Sequence, residues 1–166
     1  MFQPKPISKD AIPSALAKAE RYRLLNEPGE AESICLDVLQ IEPGNQDALV
    51  TLILALTDAF PQHGSHGMAS RAEELARRLT DQYEQEYYAG IVHERRAKAA
   101  LQRDSFHSTS SAVGWLHDAL ACFERAEALK PAHNDDAVLR WNACARLLQR
   151  LPHTVVDTHA EPIESE

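Results

Sequence analysis

Aromatic residues are scarce in this chain of 166 residues, with four Phe, four Tyr and two Trp, and glycine is scarcer still at six. Against 25 alanines and 19 leucines, that shortage predicts packed helices and almost no sheet. Cysteine is nearly absent too. Cys35, Cys122 and Cys144 are odd in number and far apart, which excludes a disulfide framework and a thiolate zinc site and leaves small buried hydrophobes. No long apolar run appears: the longest, Ala48 to Leu56, is nine residues, where a spanning helix needs roughly 20. Nor does the start, broken by Pro4 and Pro6, hold an apolar core before a cleavage site, so a cytoplasmic protein without membrane contact is expected.

Positive charge is in deficit. Lys and Arg total 17 against 25 Asp and Glu, a formal charge of −8 and a pI near 5.5, the wrong sign for binding nucleic acid or anionic lipid. Half of the excess lies in the last fifteen residues, where Asp157, Glu161, Glu164 and Glu166 meet no Lys or Arg. The body is left with room for basic patches. Apolar residues at 44% and charged residues at 25% exclude a disordered or collagen-like chain, and the length fits one domain.

What is present is a repeated spacing. Ala31, Cys35, Val38 and Pro43 have the same offsets as Ala119, Phe123, Ala126 and Pro131. Steps of three and four residues fall on one helix face, and the proline prevents continuation. In the helices before these, Ala19 and Tyr22 recur 34 residues later as Ile53 and Leu56, and Tyr87-Tyr88-Ala89-Gly90 opens a third helix of the same type. The period is interrupted by the loop from Pro61 to Gly67 and by a lengthened stretch after Arg95.

These residues resemble the tetratricopeptide repeat, a helix-turn-helix unit of that period with that Ala, aromatic, Ala, Pro signature. The resemblance covers Ala11 to Leu151 and implies an all-α superhelix of about three repeats with a capping helix. Seven helices are expected, at about 10–26, 29–41, 46–59, 68–80, 82–103, 111–130 and 134–151. Breaks are expected at Glu27-Pro28-Gly29, at Pro43-Gly44, in the loop 61–67, in the Ser-rich stretch 104–111 and at Pro131. Asn45 and Asn134 are expected as N-caps. Residues 1–9 form an extension, 10–151 the helical domain, and 152–166 an acidic tail for which disorder is expected. The last helix carries Ala137, Trp141, Cys144 and Leu148 on one stripe, which places Trp141 in the core and Arg140 away from it.

Catalytic patterns are missing. No Gly-x-Ser-x-Gly elbow or Gly-rich phosphate loop occurs, and His63-x-x-His66 has no neighbouring Cys, Asp or Glu to complete a metal site. His93-Glu94 is followed by Ala97 where a zinc-protease motif needs a second His. The expectation is a non-enzyme that needs no cofactor. By the resemblance, the first helix of each pair lines a concave groove that receives a segment of a partner protein. Carried onto this chain, the inner-face residues are Glu20, Arg23, Asp47, Leu54, Asp58, Tyr87, Tyr88, Glu94, Arg95, Asn142 and Arg146. Of these, Arg23, Tyr87, Arg95, Asn142 and Arg146 are the partner-binding candidates. Tyr87 and Tyr88 cannot both face inward, being about 100° apart, and Arg95, Asn142 and Arg146 together suit a carboxylate or backbone amides. Two other readings are a homo-oligomerising helical protein, motivated by the long third helix, and a histidine-dependent metal protein.

Overall fold

A computed structural model of the chain describes residues 2–103 and 106–151. Among them every regular element is helical. After a single 3-10 turn at Lys9–Ala11 come α1 (Ile12–Leu24), α2 (Pro28–Ile41), α3 (Gln46–Asp58), α4 (Phe60–His63), α5 (Met68–Arg77), α6 (Gln82–Leu101), α7 (Phe106–Leu129) and α8 (Asp136–Arg150). The acidic segment 152–166, expected to be disordered, lies outside the described residues.

Local chemistry explains most of the boundaries. At the end of α1, Asn26 takes a left-handed conformation at φ 60°, so that its N–H donates to the Arg23 carbonyl and that of Glu27 to the Tyr22 carbonyl. This paired closure satisfies two orphan carbonyls and turns the chain into α2, whose first residue is Pro28. At the start of α3 the Asn45 side chain accepts the Ala48 N–H at 2.9 Å, as expected of an N-cap.

Three boundaries differ from the sequence expectation. The loop 61–67 holds part of a further turn, α4, pinned by the fully buried ring of Phe60. Helix α7 begins at Phe106, so most of the Ser-rich stretch is helical, because its continuation buries Ala112, Val113 and Leu116. Asn134 does not cap α8, which starts two residues later with Asp135 before it. Its Oδ1 accepts the Asp136 N–H at 2.9 Å and the Tyr83 hydroxyl at 3.4 Å, tying the turn to α6.

Each long helix packs on the next, and α1 also touches α3 as α3 touches α6. The core falls into two main clusters along this series. Cys35, Leu49, Leu52, Ile53, Leu56, Phe60, Leu79 and Val92 fill one part, and Ile91, Leu116, Phe123 and Cys144 fill the other. Tyr88 packs against both. Small residues set the closest approaches: Ala19 and Ala31 are fully buried, and a β-carbon on Gly90 would come within 2.5 Å of the Phe123 ring.

Contacts fix the direction of the helices that line one face. On α1 and α3, Leu16 and Asp47 share one end of a groove while Arg23 meets Asp58 at the other. Asp47 acts on Glu84 and Asp58 meets Arg95, so α6 runs the same way as α3. Tyr83 packs with Ala137 and Leu101 shares a cluster with Leu151, so α8 follows α6. The four helices therefore present their C-terminal halves along one edge, where cations are favoured by the helix dipoles.

Candidate functional site

A groove of about 380 Å³ opens along that edge between α1, α3 and α6. Its floor is an ion group. Arg23 Nε donates to Asp58 Oδ2 at 2.8 Å, and Arg95 Nη1 donates to Asp58 Oδ1 at 2.6 Å. The same Arg95 nitrogen reaches Thr57 Oγ1 at 2.7 Å and, at 3.2 Å, the Leu54 carbonyl, which also accepts the Thr57 hydroxyl at 3.0 Å. The side chains of Arg23, Asp58 and Arg95 are only 17%, 23% and 24% exposed, so water screens the group weakly. Burial lowers the Arg95 pKa, with Asp58 opposing and the like charge of Arg23 adding to the fall; a guanidinium stays charged regardless.

Next along α6, a second ion group joins it to α8. The Glu94 side chain is fully buried, and its Oε1 accepts from Lys98 Nζ one turn on and from Arg140 Nη1 at 3.4 Å. Among the described residues its Oε2 has no hydrogen-bond partner. Arg140 is thus turned toward α6, contrary to the expectation that it points away from the core. Burial opposes its charge, yet Glu94 and Tyr87 outweigh burial and raise its pKa. Glu94 and Lys98 read in sequence as an ordinary surface pair at i, i+4; burial of the carboxylate depends on a helix 46 residues away.

The opposite end of this face is acidic. Glu20 and Asp47 line the space between α1 and α3, and the carboxyl of Glu84 is raised by burial and then by Asp81 and Asp47. Between the two ends, burial pushes the Tyr88 hydroxyl up to about 12.

The candidate residues fall into two sets. Arg23 and Arg95 line the groove together with Leu24, Thr57, Asp58, Pro61 and Lys98. Tyr87 is not among the groove's lining residues: its ring stacks on Tyr83 at 5.7 Å, lies 5.9 Å from Phe123 and meets the Tyr88 ring edge-on at 5.2 Å. Asn142 and Arg146, on α8, are not among the groove's lining residues; Arg146 is exposed and has no ion pair among the described residues. Trp141 packs against the core cluster of Phe123 and Cys144 as expected but is only half-buried, with its Nε1 donating to Glu124 Oε1 at 3.1 Å. Thr57, Lys98 and Arg140 were missed by sequence, since single polar residues on helices carry no signal of their partner.

Among the described residues no three His, Cys, Asp or Glu side chains converge as a metal site would require, and no helix is long and apolar enough to cross a membrane. Comparison of the chain with protein-family models, curated proteins and solved structures finds no match.

Proposed function

We propose that the chain is a tetratricopeptide-like helical solenoid whose groove binds an acidic segment of a partner protein, without catalysis of its own. The single observation that carries this reading is the half-buried group at its edge, where Arg23 and Arg95 share the one carboxylate of Asp58. One positive charge there is uncompensated. A carboxylate from a partner supplies the missing acceptor, and guanidinium is suited to it because its planar fork offers two parallel donors. Leu24 beside it is 87% exposed and supplies an apolar contact for a neighbouring side chain. The repeat spacing, the fully buried small residues Ala19 and Ala31, and the shared direction of α1, α3, α6 and α8 support the solenoid assignment.

Affinity capture with cross-linking mass spectrometry tests the proposal. Partner residues are expected to cross-link at Lys98, which lines the groove. Replacing Arg23→Ala and Arg95→Ala together, with helical circular dichroism retained, is expected to weaken capture about tenfold or more, the value of a charge-assisted hydrogen bond. Undiminished capture rejects this face as the binding site.

A further inference from the structure

Positive charge is concentrated along the face that α1, α3, α6 and α8 share, in a chain whose formal charge is −8. Four cations, Arg23, Arg95, Lys98 and Arg140, share two carboxylates, Asp58 and Glu94, in a row that crosses α1, α3, α6 and α8. Arg23 donates to Asp58 through Nε, and its two terminal nitrogens have no hydrogen-bond partner among the described residues. A partly dehydrated row with this surplus attracts carboxylates more strongly than an exposed patch would.

The chain itself carries such carboxylates next to that row. Because α8 runs in the direction of α6, the polypeptide leaves α8 at Leu151, which packs in the same cluster as Leu101, at the C-terminal edge of the lining helices. The fifteen residues that follow hold Asp157, Glu161, Glu164 and Glu166 and no Lys or Arg. At up to about 3.5 Å per residue the segment reaches roughly 50 Å. Three helix-to-helix steps of about 8–10 Å separate α8 from α1, about 30 Å in all. The segment is long enough to cross every helix of the row.

We propose that residues 152–166 are the groove's resident occupant, lying over Arg23, Arg95 and Lys98 in cis so that a partner's acidic segment binds only by displacing them. The proposal rests on the partner-binding reading above and adds its regulation. A second copy supplying the same segment is the alternative occupant.

A fluorescent peptide of residues 152–166 is titrated with the full chain and with a full-length variant carrying Asp157→Asn, Glu161→Gln, Glu164→Gln and Glu166→Gln. A tethered segment competes at an effective concentration in the millimolar range, so the variant is expected to bind the peptide about tenfold or more tightly than the native chain. Adding Arg23→Gln to the variant, or raising the salt concentration, is expected to reverse that gain. Equal affinity for both proteins, or no binding to the variant, overturns the proposal. Carbodiimide cross-linking of mixed light and isotope-labelled native chains reads the connectivity. Links from Lys98 to Glu161 or Glu164 within one chain support the contact in cis, and links solely between chains assign the occupant to a second copy and overturn it. The two readings fail separately: a partner cross-linked at Lys98 by a variant that does not bind the peptide retains the groove and removes the resident segment.

Discussion

Burial of the three cysteines gives the chain a chemical signature that can be measured directly. Removal from water pushes the thiols of Cys35 and Cys144 up to about 12 and raises that of Cys122, so none supplies a thiolate at neutral pH. A thiol reagent below pH 9 is expected to leave the native protein unmodified and to titrate three thiols after denaturation; rapid native modification would show that one is accessible. The linkage has a definite sign. Below the ordinary thiol value of 9.0 both states hold their protons and stability is unaffected, whereas from there toward about 12 the unfolded chain loses protons that the folded chain keeps. The thiols are therefore expected to leave denaturant midpoints unchanged below pH 9 and to lower them above it, a fall to which Tyr88, raised to about 12, adds. Cysteine burial and the Asn45 cap were legible in the sequence because both depend on residue type and near neighbours. Glu94 was not legible as a buried group, since what covers it, Arg140, comes from another helix.

Two local rules compete at Gly90, in the middle of α6. Helix propensity alone favours alanine there by about 1 kcal/mol. Packing opposes it, because the new β-carbon would lie 2.5 to 2.9 Å from three atoms of the Phe123 ring, a side chain with no exposed surface. Overpacking of a core contact costs about 1–3 kcal/mol, so Gly90→Ala is expected to lower the melting temperature, and a rise would mean that the ring has room to retreat. The same competition explains the boundaries that the sequence misplaced. Pro61 and Gly64 mark a break by local chemistry, yet Phe60 buries its ring and holds one helical turn. Serines near the start of α7 favour caps and turns, yet the burial that follows them carries the helix upstream.

Position in the series sets how tightly each helix is held. α3 packs against α1, α2, α5 and α6, whereas α8 packs chiefly on α7 and is joined to α6 by Glu94, Lys98 and Arg140. Opening α8 exposes one interface and opening α3 several. Backbone amides of α8 are expected to exchange with deuterium before those of α3, and equal protection would point to a single all-or-none unit instead. Helical class, most element positions and the repeat spacing followed from residue type and periodicity, which are local along the chain. Which polar residues meet across the helices did not, because Arg23 with Asp58, Asp58 with Arg95 and Glu94 with Arg140 are separated by 35, 37 and 46 residues. Only the stacking of helices brings such pairs within reach and removes the water that would otherwise solvate them apart.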